Sequence, residues 1–206
     1  MTAPVSPSVG PLRAQFGEGI VRHAVSCGDT IVYVRPDRAH DLLAWLRDTP
    51  GQQFDYLTDV TAVEYRDPER PLEVVWQLRS IPRRADLRIK AELRQGEPLE
   101  VPSVYDLWRG ADWLEREVYD MFGVTFLGHP DLRRILMWET YAEGFPLRKD
   151  FPLRGHFSRA EQTRQALAAN PEAHYSMEEL SIAEAYNELP ADMRERLARG
   201  ERGFLR

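Results

Sequence analysis

Between Leu87 and Arg94 the chain alternates without a break, Leu87, Ile89, Ala91 and Leu93 against Arg88, Lys90, Glu92 and Arg94. A period of two is the spacing of a β-strand with one apolar and one polar face. Such a strand demands a sheet covered on one side and wet on the other. Two further strands are expected upstream, Leu57 to Tyr65 and Leu72 to Ser80, and the proline-bearing turns between the three suit antiparallel connections. Ahead of them Ile31 to Arg35 reads as a β-branched strand. Pro36 and Asp37 then open a helix whose Ala39, Leu42, Leu43 and Leu46 form an apolar stripe. The fold class that follows is α+β, a mostly antiparallel sheet covered by helices, with an extended and helical C-terminal extension.

The domain plan is a disordered tail over residues 1–13, a core over 14–137 and an extension over 138–206. The tail rests on prolines and a lack of periodicity, with folding expected to begin near Phe16. Pro102 and Ser103 are expected to start a helix, with Asp106 in the capping-box position. Beyond Met137 the chain is aromatic, proline-rich and charged without a steady period, which suggests an extended segment lying on something. Ser158 with Glu161 and Ser176 with Glu179 then form capping boxes, and Pro190 starts a last helix.

The densest block runs from Glu115 to Met137. Asp112 is placed to cap a helix with Leu114, Val118, Met121 and Phe122 on its apolar face, and Gly123 offers a left-handed stop. The other face carries Glu115, Arg116, Glu117, Tyr119 and Asp120, with Arg116 and Asp120 at the spacing of an ion pair. A strand-like Val124 to Phe126 follows, then a turn containing His129 and Asp131, then Arg133 and Arg134.

Composition excludes much. A net charge of −6 argues against nucleic acid or anionic lipid as the main partner. The lone Cys27 forms no internal disulfide and holds no iron–sulfur cluster by itself, and the five histidines lie far apart. No apolar run has the length of a bilayer span, and the N-terminus lacks the pattern of a secretory signal. Acid/base chemistry by Glu117, Asp120 and His129 would make a stand-alone hydrolase. However, Glu115 and Glu117 diverge on a helix, and no nucleophile elbow, dinucleotide loop or phosphate loop occurs. Arg116, Arg133, Arg134, Arg148 and Lys149 beside Trp138, Tyr141, Phe145 and Phe151 fit a protein interface, or else pin the extended segment to its own domain.

The run ERE, YD, FG, GHPDLR and an apolar pair, continued by FPLRKD from Phe145 to Asp150, resembles the signature of the 30 kDa (C-type) subunit family of bacterial NADH:quinone oxidoreductase, respiratory complex I. That resemblance implies a cofactor-free component of the peripheral arm, on the cytoplasmic side of the inner membrane. It would dock on the D-type subunit, which forms the quinone site, with the extension over 138–206 packing on that partner, near the B-type and I-type subunits, while FMN, the iron–sulfur clusters and NADH are bound by other chains of the complex. On the same ground an interface role passes to Glu115, Arg116, Glu117, Tyr119, Asp120, Phe122, His129, Arg133, Arg134, Leu147, Arg148 and Lys149. Related subunits of membrane-bound hydrogenase-type complexes share the signature, so an equivalent place in such a complex is the alternative.

Overall fold

The structure is a computed structural model that describes residues 5–66, 69, 71–94 and 96–169. One compact unit spans Met1–His156 and a second spans Phe157–Arg206. In the first, helix α1 (Val9–Phe16) precedes the hairpin β1 (Ile20–Ser26) and β2 (Asp29–Val34), followed by α2 (Ala39–Asp48). The meander β3 (Tyr56–Glu64), β4 (Leu72–Ser80) and β5 (Ala85–Leu93) comes next. After it stand the short strand β6 (Glu100–Pro102), α3 (Ala111–Phe122) and the short strand β7 (Thr125–Leu127).

Five strands form one sheet in the order β1-β2-β5-β4-β3, antiparallel except where β2 runs parallel to β5, and β6 pairs with β7 in a separate parallel ribbon. Register puts Leu87, Ile89, Ala91 and Leu93 opposite Leu78, Trp76, Val74 and Leu72 on one face. That face closes with Leu12 of α1, Leu42, Leu43 and Leu46 of α2, and Val118, Met121 and Phe122 of α3 into a single core.

The opposite face departs from the expectation of a wet surface. Lys90 is only 8 % exposed and Glu73 7 %, joined at 2.7 Å. Desolvation alone would lower the Lys90 pKa, but the Glu73 carboxylate holds it above its ordinary value. Around this pair Arg22 binds Glu92, Arg88 binds Asp29 and Gln77, and Arg22 lies over the Tyr33 ring at 3.4 Å. Long side chains lying flat across neighbouring strands bury one another's stems.

Two expectations are corrected. Residues 9–13 belong to α1 rather than to a disordered tail, because Val9, Leu12 and the partly buried Phe16 recur at helical spacing and Leu12 is wholly buried. Residues 1–4 lie outside the described residues. No helix starts at Pro102. Pro102 ends β6, and the Ser103 hydroxyl turns to Glu115 and to the Tyr105 N–H instead of capping a helix. Strand β1 is an addition to the expected elements, since its residues give no clean alternation.

In the second unit α4 (Arg159–Ala169) has no buried residues, and its Ser158 hydroxyl accepts the Glu161 N–H at 3.3 Å as the capping box requires. The Ser176 and Pro190 helices lie outside the described residues. If α1 is part of the core, Leu12→Ala should lower stability by about 2 to 4 kcal/mol in urea unfolding, as at other closely packed leucines. A tail residue would leave the midpoint unmoved.

Candidate functional site: a fastened strap over helix α3

Helix α3 is the frame. Gly110 stands at its N-cap, with Asp112 inside the first turn, and Gly123 ends it in the left-handed conformation, φ 76°. A Cβ on Gly123 would lie 2.5 Å from the Phe145 ring, so glycine is needed both for the turn and for the close approach.

The chain after β7 runs back along one side of this helix. The His129 ring, its side chain fully buried, faces the Asp112 carbonyl at 3.2 Å through Nε2. Its Nδ1 accepts the Asp131 N–H at 3.1 Å, so Nε2 carries the proton. One turn on, the Arg116 guanidinium donates to the carbonyls of Arg133 and Arg134 at 3.2 and 3.1 Å. A further turn on, the Asp120 carboxylate, with no exposure, accepts Arg134 Nη1 at 2.6 Å and the N–H groups of Ile135, Leu136 and Met137 at 3.0, 2.8 and 2.8 Å. Burial works against the Asp120 charge. The Met137 N–H, the Arg134 guanidinium and the Leu136 and Ile135 N–H groups outweigh it and hold the carboxyl below its ordinary range.

The same segment completes the end of the helix. Carbonyls in a last helical turn have no partner within the helix and carry the negative end of its dipole. Here Tyr119 O accepts from Gly123 N, Asp120 O from Arg134, Met121 O from the Leu147 N–H, and Phe122 O from Arg148 Nε at 2.6 Å. Arg134 also donates to Gly144 O, and the Lys149 N–H reaches Glu64 Oε2. The segment after Met137 is therefore a strap pinned to its own domain, and the compact unit continues to His156 rather than closing at 137.

The predicted site residues thus divide. Glu115, Arg116, Asp120, Phe122 and the His129 side chain are buried, Tyr119, Arg134 and Arg148 are partly covered, and Glu117, Arg133, Leu147 and Lys149 are exposed. Arg116 and Asp120 do not pair with each other; each holds the returning chain instead. Asp120 is engaged by the returning chain and His129 lies against the Asp112 carbonyl, while Glu117 is exposed. Sequence reasoning gave Ser103 only as the start of a capping motif, and Ile135 and Leu136 only as the apolar pair of the signature, not as backbone partners of Asp120.

Glu115 is the one carboxyl with a strongly shifted titration among the described residues. It is fully buried, accepting Ser103 Oγ–H at 2.6 Å and Val104 N–H at 2.7 Å, with His129 Nε2 4.0 Å away. Burial pushes it up to about 7, against those two hydrogen bonds and with added push from Asp106 and Asp112. Among the described residues no group of His, Cys, Asp and Glu could hold a metal ion. An open depression of about 380 Å³ on the polar sheet face is lined by Thr58, Asp59, Gln77, Arg88 and Lys90 among others. Its two cations are already engaged by Asp29 and Glu73.

A helix-covered sheet whose charged motif fastens a strap, with apolar side chains left outside, is the build of a component of a larger assembly. Residues 32–157 match the family described as the 30 kDa subunit of respiratory-chain NADH dehydrogenase, and the chain belongs to that family. It is 46% identical over 155 residues to the second C-type subunit of NADH-quinone oxidoreductase from Rhizobium etli (strain CIAT 652), covering 74% of this chain and 81% of that one. With the C-type subunit of Roseiflexus sp. (strain RS-1) it shares 45% over 142 residues, 69% and 80% of the two chains. A trypsin-resistant fragment (1-134) of Nqo5 superposes with a TM-score of 0.52 at 30% identity, over 61% of this chain and 96% of that one. A chain of the membrane-bound sulfane sulfur reductase, an archaeal respiratory membrane complex, has the same fold with a TM-score of 0.60 at 20% identity, over 77% and 88%. No helix among the described residues is long and apolar enough to cross a membrane.

Two outcomes are expected. The unfolded chain loses the Glu115 proton near 4.5 and the folded chain near 7. Between those values the unfolded state binds fewer protons, so this group makes stability fall as pH rises, by at most about 3 kcal/mol. Glu115→Gln keeps an acceptor for the Val104 N–H and places its amide N–H₂ beside the Ser103 oxygen, reversing the direction of that bond. It should unfold at higher urea than the parent at pH 8 and match it near pH 4; a pH-independent difference would show that the carboxyl does not titrate this way. Gly123→Ala should cost about 2 to 4 kcal/mol, from the left-handed backbone and the Phe145 clash together, measurable as a lowered melting temperature.

Proposed function

We propose that this chain is a cofactor-free peripheral-arm subunit of a proton-translocating NADH:quinone oxidoreductase. In this reading it docks on the D-type, quinone-site subunit, beside the B-type and I-type subunits, on the cytoplasmic side of the inner membrane. It supports assembly and the electron path from NADH to quinone, with FMN, iron–sulfur clusters and NADH bound by other chains of the complex. The observation that carries the reading is the 46% identity to a C-type subunit extending over most of both chains. A second reading is the equivalent subunit of a hydrogenase-type complex, which the occurrence of this fold in an archaeal respiratory membrane complex leaves open, since at 20% identity that likeness speaks for the fold alone.

The interface role then falls in two ways. Glu117, Tyr119, Arg133, Leu147 and Lys149 are available to a partner directly. Glu115, Arg116, Asp120, Phe122, His129, Arg134 and Arg148 act through the surface that they hold in shape.

The test is affinity purification of the tagged full chain from its own membranes in mild detergent, with the co-purifying proteins identified by mass spectrometry. Flavin- and cluster-bearing subunits with NADH:quinone activity are the expected outcome. A nickel-bearing large subunit would move the assignment to the hydrogenase branch, and a chain that elutes alone would refute both. Arg148→Ala should lower assembly and also the melting temperature of the free chain, costing about 1 to 2 kcal/mol through the uncapped Phe122 carbonyl. Arg133→Ala, which removes an exposed guanidinium bound to the exposed Asp131, should affect assembly without that stability loss.

A further inference from the structure

Glu115, His129 and Asp112 meet in a site closed to water. The Glu115 and His129 side chains have no exposure, and Asp112 Oδ1 is buried there without a hydrogen-bond partner. Three elements enclose the site. Helix α3 brings Glu115 and Asp112, the chain after β6 brings Ser103, Val104 and Asp106, and the turn after β7 brings His129. Two neighbours of Glu115 serve either of its protonation states. The Val104 N–H donates to Oε1 in both, and the Ser103 hydroxyl, which gives its proton to a carboxylate, can take one from a carboxylic acid across the same 2.6 Å. His129 is different. Its Nδ1 accepts the Asp131 N–H, so the ring donates through Nε2 alone, which faces the Asp112 carbonyl at 3.2 Å, Asp112 Oδ1 at 3.4 Å and Glu115 Oε2 at 4.0 Å. Of the other charges nearby, Asp106 pairs with His40 at 3.0 Å and, like Asp112, disfavours a charge on Glu115.

We infer that this site is a proton-operated latch: when Glu115 gives up its proton to solvent, the His129 Nε2–H turns from the Asp112 carbonyl to the Glu115 carboxylate, and the turn that His129 anchors moves with it. The displacement is small, since 4.0 Å has to shorten only to the ~2.8 Å of a charge-assisted bond. The ionised carboxylate supplies the drive, because an anion in a place without water gains most from a further donor. Burial pushes Glu115 up to about 7, so both of its states are populated around neutrality. Movement of the ring reaches the surface. Nδ1 holds the Asp131 N–H, and the Asp131 carboxylate holds Arg133 at 2.9 Å, both of these side chains being exposed. Arg133 is one of the side chains open to a partner, so a proton bound inside the domain is read where another chain can sense it. The latch belongs to this chain alone and stands whichever complex the chain joins.

The test is a pH titration of the isotope-labelled full chain from about pH 5 to about pH 9, followed in the imidazole and amide NMR spectra, with His129 assigned by its loss in His129→Gln. The proton on His129 Nε2 should move downfield as the pH rises, with a midpoint of about 7, while Nδ1 stays unprotonated throughout. The Asp131 N–H should shift with the same midpoint. In Glu115→Gln neither signal should show the transition. A second proton arriving on the ring as the pH falls would mean that His129 titrates in its own right and would overturn the latch, as would a Glu115→Gln chain that keeps the transition. A transition that leaves the Asp131 N–H unmoved would overturn the passage to the surface. If Glu115→Gln does not fold, Ser103→Ala takes its place: it removes a donor to the carboxylate and should raise the midpoint, and an unmoved midpoint overturns the assignment of the proton to Glu115.

Discussion

The arrangement depends on one buried carboxylate. Asp120 collects a guanidinium and three consecutive backbone N–H groups, and a carboxylate satisfied in this way stays ionised even in a site closed to water. Without it the N–H groups of residues 135–137 would lose their common acceptor, and so would Arg134, which lies against Tyr141 and Phe145 at 5.1 and 5.3 Å. The aromatic cluster and the pinned backbone are therefore consequences of one charge placed on the correct side of a helix.

The helix gains in return. Two arginines from a segment with no regular structure supply what a C-terminal turn lacks, and a third, backbone donor comes from Leu147. Helix and strap are stabilised by the same bonds, so neither is a separable module. This is why the motif spans so many residues: its first half provides acceptors and its second half the donors.

How far this was legible from the chain alone varies with the kind of signal. The alternation at Leu87–Arg94 placed β5 and the inner face correctly, and the spacing of Leu42, Leu43 and Leu46 placed α2, because those patterns are local. Burial of Glu115, Arg116 and Asp120 was not legible. Helical periodicity assigns them to the polar side of α3, and what covers that side is chain without periodicity of its own, upstream at Ser103 and Val104 for Glu115 and downstream at residues 133–137 for Arg116 and Asp120. Lys90 failed in the same way, since a strand pattern cannot tell a solvated lysine from one matched by Glu73 on the adjacent strand. The α1 error differs. Val9, Leu12 and Phe16 do carry a helical spacing, but the surrounding prolines pull the same residues toward a disordered tail.

The parallel pairing of β2 with β5 governs the order in which the domain can assemble. The meander β3-β4-β5 is joined by short turns and closes through contacts near in sequence, whereas Ile31 meets Arg88 from the far side of the whole meander. Contacts so distant pay their loop-closure entropy late. The β1–β2 hairpin is therefore expected to join a meander already formed. During synthesis the β1–β2 hairpin emerges ahead of β5 and has no sheet position until that strand follows.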